Sequence, residues 1–68
     1  MAIDKKKVGE RLKALRGKRT QAEIADIIGV TPVAISQYEN GDRMPSDDVK
    51  IKLSALYRRS VSTIFFAD

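Results

Sequence analysis

Residues 20–41, TQAEIADIIGVTPVAISQYENG, hold the signals for two short helices and the tight turn between them. The first helix opens with a capping box, in which the Thr20 hydroxyl accepts a free backbone N–H and a glutamate three residues later reaches back. Gly29 ends this helix and supplies the positive φ that a tight turn requires. Thr31 caps the second helix, and Pro32 follows at its first position, where a missing N–H costs nothing. The pattern predicts two helices that pack against each other across the turn.

The second of these helices has two chemically different faces at about 100° per residue. One face is apolar with a single acid and consists of Ile35, Tyr38 and Glu39. The opposite face is short, polar and uncharged and consists of Val33, Ser36, Gln37 and Asn40. The apolar face is expected to pack on the rest of the domain, which leaves the neutral face for a partner.

Three further helices are predicted around this pair. The first runs from about Asp4 to Arg16 with an apolar stripe along one side. Gly9 within it is expected to lower helix stability by about 1 kcal/mol relative to alanine, unless close packing requires a glycine. Ser46 caps the fourth helix, and a last short helix starts at Ser62. The sequence therefore predicts an all-α domain of five helices.

Composition limits the chemistry open to the chain. Its 68 residues are expected to form a single domain, residues 1–68. The chain has no cysteine and no histidine, so disulfides, zinc sites of the usual kind and histidine-based catalysis are excluded. We expect no cofactor, no metal and no enzymatic activity, because Asp42, Asp47 and Asp48 fit loop and helix-cap positions better than a metal site. No apolar run is long enough for a membrane span or a signal peptide, and a cytoplasmic location is expected.

Positive charge is concentrated near the beginning of the chain. The net charge is +4, and residues 1–19 carry eight basic and two acidic side chains, which gives a local net charge of +6. A basic end on a small domain indicates a polyanionic partner. Lys5, Lys6 and Lys7 fit either an arm that reaches this partner or a solvated terminus.

The chain resembles the lambda-repressor-like helix-turn-helix family, which includes Cro and the xenobiotic-response-element regulators. The similarity runs from Val8 to Phe66, and the matching segments are TQAEIADIIGV, ISQYENG, the PS before the fourth helix, and SVSTIF. It implies five helices, with the third in the major groove of double-stranded DNA. The link between the first two helices, residues 17–19, is shorter than is usual in the family. Arg58 stands where the family often has glycine, so strain or a different helix end is expected there.

Base contacts are expected from the neutral face of the third helix. Gln37 can pair bidentately with adenine, Ser36 can donate or accept a hydrogen bond, and Val33 can pack on a thymine methyl group. An ordinary solvated face is the alternative for these three residues. Pro32 stands where the family often has a base-contacting side chain, so base readout at that position is expected to be weak.

Contacts with the DNA backbone are expected from residues that flank the two central helices. Gln21 opens the second helix, where free N–H groups favour an anion. The full set of expected backbone contacts is Lys18, Arg19, Thr20, Gln21, Thr31, Asn40 and Arg43. The alternative is that these residues are only solvated, and Asn40 is equally suited to a helix C-cap.

Two further roles concern packing and assembly. The family resemblance pairs Glu39 with Arg16 of the first helix as a structural ion pair. Ile64, Phe65 and Phe66 are more typical of a core, but their position near the end of the sequence leads to the hypothesis of an isologous homodimer contact. Such a contact would place two recognition helices about 34 Å apart.

The expected function is sequence-specific binding of a palindromic DNA operator by a homodimer that represses transcription, of the phage or mobile-element type. One alternative is an antitoxin-type regulator, which uses the same fold to bind a partner protein as well. An enzyme is disfavoured because catalytic histidine and cysteine are lacking. An RNA-binding module is disfavoured because the stacking aromatics of such modules are lacking.

Overall fold

Five helices make up the computed structural model, which describes residues 4–67, so residues 1–3 and 68 of the expected domain lie outside it. They are α1, Lys5–Arg16; α2, Gln21–Ile28; α3, Pro32–Glu39; α4, Asp47–Tyr57; and α5, Ser62–Phe66, a single turn of the wider π type. No strand occurs within residues 4–67. None of the helices described combines the length and the apolar composition needed to cross a membrane. The predicted all-α, five-helix fold is confirmed.

Side-chain caps determine where the first four helices begin. Asp4 Oδ1 accepts a hydrogen bond from the backbone N–H two residues later, at 2.9 Å. The predicted capping box of α2 is present, since Thr20 Oγ1 accepts from the Glu23 N–H at 3.0 Å and the Glu23 carboxylate accepts from the Thr20 N–H at 3.4 Å. Thr31 and Ser46 cap α3 and α4 through their hydroxyls. The helix starts predicted from these capping residues are confirmed.

The last helix starts at Ser62, as predicted. The hydroxyl of Ser60, two residues earlier, accepts a hydrogen bond from the Thr63 N–H at 3.1 Å. The Ser60 carbonyl also accepts from the Ile64 N–H at 3.2 Å. Ser60 therefore holds the turn that leads into α5 through both its hydroxyl and its carbonyl.

The core is built from apolar side chains of all five helices. Its largest fully buried members are Phe65, Ile24, Leu53 and Ile64. α3 packs most extensively against α1 and α2, and α5 packs against α1. Full burial of one such side chain contributes about 1.5–3 kcal/mol. The scaffold around α3 is therefore held mainly by apolar contacts.

α1 and α3 approach each other most closely at Gly9. A Cβ atom placed on this residue would lie 2.7 Å from the carbonyl oxygen of Tyr38 and would overlap the carbonyl group of Glu39. Backbone atoms cannot yield as a flexible side chain can, so the contact requires a residue without a side chain. Close packing thus explains the helix-weakening glycine in the middle of α1.

Arg58 ends α4 in the left-handed region, with φ 55° and ψ 44°. Its backbone N–H donates to the Ser54 carbonyl, and the Arg59 N–H donates to the same oxygen at 3.1 Å. This arrangement satisfies a carbonyl in the last turn of the helix, but a side chain makes the left-handed conformation unfavourable by about 1–2 kcal/mol. The strain predicted at this position is confirmed, and the backbone favours the glycine that the family often has there.

Candidate nucleic-acid interface

α3 is positioned by the short turn that connects it to α2. Gly29 has φ 88°, and its N–H donates to the Ala25 carbonyl at 2.8 Å, while the Val30 N–H donates to the same oxygen at 3.0 Å. Thr31 Oγ1 then accepts from the Ala34 N–H at 3.1 Å, which starts α3. The chain passes from α2 to α3 within residues 29–31, so the beginning of α3 is held against α2.

The two faces of α3 differ in exposure in the way that the helical period predicts. The inner face is at most 6% exposed and consists of Ile35, Tyr38 and Glu39. The outer face is exposed or half-buried and consists of Val33, Ser36, Gln37 and Asn40. Val33 is 66% exposed, although it is apolar. An uncharged surface of this kind can offer hydrogen bonds and one apolar contact to base edges.

The side chains of the outer face differ in whether they already form hydrogen bonds within the protein. Asn40 caps the end of α3, since its backbone N–H donates to the Ser36 carbonyl at 2.9 Å, and its Nδ2 donates to Ser36 Oγ at 3.3 Å. Gln37 makes no side-chain hydrogen bond to any residue within 4–67. The Gln37 amide therefore keeps both its donor and its acceptor groups for a partner.

A largely buried ion pair ties the end of α3 to α1. Arg16 Nε lies 2.7 Å from Glu39 Oε2, and Arg16 Nη2 lies 3.0 Å from Glu39 Oε1, so guanidinium and carboxylate meet at two points. The Glu39 side chain is 2% exposed. The hydrogen bond with Glu39 raises the pKa of the Arg16 guanidinium above its usual value. The structure thus brings together the two residues that the family resemblance pairs.

The Glu39 carboxylate also accepts a hydrogen bond from Gln21 at the start of α2. Gln21 Nε2 lies 3.1 Å from Glu39 Oε1, and Arg16 Nη1 donates to the Arg19 carbonyl at 2.7 Å. This network connects α1, α2, α3 and the loop that precedes α2. One N–H of the Gln21 amide is therefore used inside the protein, and the other N–H remains available to an acceptor such as a phosphate oxygen.

Two arginines that flank α2 and α3 lie against tyrosine rings. The Arg19 guanidinium carbon is 5.8 Å from the centre of the Tyr57 ring, and that of Arg43 is 5.9 Å from the centre of the Tyr38 ring. Cation–π contacts orient a guanidinium group. The sequence does not predict the contact between Arg19 and Tyr57, because no local spacing links the two positions.

The remaining residues predicted to contact the DNA backbone differ in their exposure and in whether their hydrogen-bond donors are already used. Lys18 is exposed in the same loop as Arg19. Thr20 Oγ1 lies 3.3 Å from Glu23 Oε1, so its hydroxyl hydrogen is used within the capping box. Thr31 accepts a backbone hydrogen bond but keeps its own hydroxyl hydrogen. Lys5–Lys7, considered above as an arm, form the exposed first turn of α1.

The predicted dimer contact requires a correction. Ile64 and Phe65 are each 1% exposed, because α5 turns them into the core of their own chain. Phe66 is 52% exposed and lies 5.2 Å from Lys50 Nζ, measured to the centre of its ring. Only Phe66 among the three residues can therefore contact a second copy with its side chain in this conformation.

Comparisons with known proteins agree with this architecture. The sequence pattern of the helix-turn-helix family matches residues 12–64. The crystal structure of the P22 c2 repressor protein in complex with synthetic operator 9T is similar with a TM-score of 0.85 and 33% sequence identity, over 90% of this chain and 96% of that chain. The clp gene regulator ClgR from C. glutamicum shares the fold, with a TM-score of 0.76 and 21% identity over 94% of this chain and 86% of that chain.

A relative of greater length extends the comparison to another organism. An HTH-type transcriptional regulatory protein of Pyrococcus furiosus is 39% identical over 51 residues. The match covers 72% of this chain and 16% of that protein, so this chain spans a small part of the relative's length. The family pattern and the similarity to the P22 c2 repressor both extend over most of the present chain. The chain therefore belongs to the lambda-repressor-like helix-turn-helix family of DNA-binding transcriptional regulators.

Proposed function

We propose that this domain recognises one double-stranded DNA sequence, with α3 in the major groove and with Val33, Ser36 and Gln37 in contact with bases. The observation that carries the proposal is the state of Gln37, whose side chain has no hydrogen-bond partner within residues 4–67. A glutamine amide in this state can pair bidentately with N6 and N7 of adenine. The exposed Val33 beside it supplies an apolar contact for a thymine methyl group.

The charge pattern supports the same orientation. The chain is 32% charged, yet none of the four outward residues of α3 carries a charge. Acidic side chains there would repel phosphates, and the one acid of α3 that could do so, Glu39, is buried against Arg16. An outer face of α3 without charge in a highly charged domain fits a surface that reads base edges rather than one that only meets water.

We propose backbone contacts from the residues that surround this face. Lys18 and Arg19 precede α2, and Arg43 follows α3, so cationic groups lie on both sides of the pair of helices in the sequence. Polar contacts are assigned to Gln21, Thr31 and Asn40, whereas the predicted contact of Thr20 would require its hydroxyl to leave the capping box. The local net charge of +6 in residues 1–19 adds attraction for phosphates that does not depend on sequence.

We further propose that a homodimer represses transcription by occupying a palindromic operator, as in repressors of the phage or mobile-element type. The similarity to the P22 c2 repressor, whose crystal structure contains a synthetic operator, supports this proposal. Phe66 offers an exposed aromatic side chain for a two-fold contact. A two-fold axis would place the two α3 helices about 34 Å apart, one turn of B-DNA.

Selection from a pool of random duplexes, repeated at two salt concentrations, tests the proposal. We expect enrichment of one half-site that occurs twice with inverted symmetry. In the same selection, the Gln37→Ala variant should show a relaxed preference at one base pair. Failure to enrich any sequence would overturn specific binding. Sedimentation at tens of micromolar with and without the selected duplex tests the dimer separately, and monomer under both conditions would overturn only the dimer.

A further inference from the structure

A shallow groove lies between α1 and α5, away from the surface of α3. It has a volume of about 230 Å³ and is lined by Arg11, Ala14, Leu15, Arg59, Thr63 and Ile64. Its lining is mostly apolar, and the alanine, leucine and isoleucine are called its floor below. The two arginines and the threonine complete the lining and are called its rim. An apolar floor with a cationic rim is the chemistry of a specific contact rather than of plain solvent exposure.

The groove and α3 lie on opposite sides of α1. Gly9 and Arg16 contact α3. At about 100° per residue, Arg11, Ala14 and Leu15 lie on the opposite face of α1. A molecule in the groove would therefore leave the outer face of α3 uncovered, so groove and DNA could be occupied at the same time.

The two arginines of the rim are held in place and form no ion pair within residues 4–67. Arg11 Nη1 donates to the Ile64 carbonyl at 3.0 Å, and Arg59 Nη1 donates to the Arg58 carbonyl at 3.1 Å. Each guanidinium keeps further N–H donors. The ion pairs formed within residues 4–67 involve other basic residues. Two positive charges with unused donors beside an apolar floor favour carboxylates next to an apolar group.

We propose that this groove docks a partner protein through one large apolar side chain flanked by acidic residues. The volume is below the roughly 300–1,000 Å³ of pockets for small molecules and cofactors, and a single anchoring side chain suits it better. This contact goes beyond the proposed DNA recognition and does not require it.

The test is a titration of the isotopically labelled domain with the acetylated, amidated pentapeptide Glu-Asp-Leu-Glu-Asp, followed by NMR shifts of backbone amides. We expect saturable shifts that cluster at Ala14, Leu15, Thr63 and Ile64. The peptide Glu-Asp-Gly-Glu-Asp lacks the apolar anchor and should bind at least about tenfold more weakly, as expected when a leucine is no longer buried. The peptide Lys-Lys-Leu-Lys-Lys reverses the charges and should produce no shifts at these residues.

Two variants of α1 with the same change in net charge separate the groove from general electrostatics. Ala14→Glu places a carboxylate on the groove floor and should abolish the shifts, and Ala14 is exposed, so the fold should persist. Lys13→Gln removes one positive charge from the same helix but does not line the groove. It should bind the peptide as the unaltered domain does. Circular dichroism of both variants checks that the helices remain.

Several results would overturn the proposal. These are the absence of saturable shifts, equal binding of the glycine peptide, and shifts centred on α3 and residues 18–20, which would indicate simple attraction to the basic surface. A dimer that Ala14→Glu dissociates would show a second copy as the occupant and would refute the acidic partner. Repeating the titration with a selected duplex bound should leave the shifts in place. Because peptide and duplex binding are measured separately, either proposal can fail without the other.

Discussion

Arg16 and Glu39 stand 23 positions apart in the sequence and meet through two hydrogen bonds, the shorter of them 2.7 Å long. Arg16 is the last residue of α1 and Glu39 the last residue of α3, so the pair joins the ends of these two helices. Gln21, the first residue of α2, donates to the same carboxylate. One buried acid thus holds the ends of three helices together, and the orientation of α3 depends on it.

Replacement of Glu39 by glutamine is expected to lower the free energy of unfolding by about 3–5 kcal/mol, because the guanidinium of Arg16 would remain largely buried without its opposite charge. The double variant Arg16→Met with Glu39→Leu should lose much less, because it removes both charges. Urea unfolding followed by circular dichroism measures both losses. A double variant less stable than the single one would contradict this account of the pair.

Gly9→Ala should destabilise the domain although alanine is the better helix former. The higher helix propensity of alanine should stabilise the fold by about 1 kcal/mol. Overpacking against the backbone of Tyr38 and Glu39 should destabilise the fold by about 1–3 kcal/mol or more. Lys13→Ala in the same helix is the control, since an exposed substitution should stay within about 0.5 kcal/mol. Thermal unfolding of the two variants measures these changes in stability. A Gly9→Ala protein more stable than the unaltered domain would refute the close approach of α1 to the backbone of α3.

Gln37→Ala and Arg43→Ala should affect DNA binding in different ways. On the selected site, Gln37→Ala should weaken binding by about 1–3 kcal/mol and relax the preference at one base pair, because a bidentate contact is lost. Arg43→Ala should weaken binding to all sequences alike and reduce the slope of log affinity against log salt by about one unit. Fluorescence anisotropy across a salt series measures both. Identical salt slopes for Arg43→Ala and the unaltered domain would rule out a phosphate contact.

Arg58→Gly should stabilise the domain by about 0.5–1 kcal/mol. The left-handed conformation at φ 55° disfavours a residue with a Cβ, and glycine relieves this at some cost in chain entropy. Arg58→Ala is the matched control, because it removes the charged side chain but keeps the Cβ. Equal stabilities of the glycine and alanine variants in chemical unfolding would mean that the backbone is not strained.

The stability of the domain should decrease in alkaline solution through Tyr57. Burial raises the pKa of its phenol above the usual 10.0, and the Glu39 carboxylate raises it further against the opposing effect of Arg19. The folded state then binds the proton more tightly than the unfolded chain, so this contribution to stability is complete below pH 10 and is lost as the pH rises through the folded pKa. Urea midpoints measured from about pH 8 to 11 should fall less steeply for Tyr57→Phe. Parallel curves would exclude Tyr57 as the cause.

Local sequence was sufficient for the helices and for the faces of α3. Capping hydroxyls act on backbone groups two or three residues away, and the period of apolar residues repeats within two turns. For that reason Thr20, Thr31 and Ser46 were assigned correctly. The same rules placed the start of α5 at Ser62 but did not decide its role, because Ile64 and Phe65 proved to be buried rather than available to a second copy.

The remaining features arise only when the helices pack, because they depend on distances between residues that are far apart in the chain. Gln21 was predicted to contact phosphate, but the folded protein also directs its amide to Glu39. The ring of Tyr57 lies against Arg19, and Gly9 meets the backbone of α3, although no local spacing predicts either contact. Short-range hydrogen bonding and periodicity thus specify the elements of this domain, whereas its contacts across the core follow from how those elements fit together.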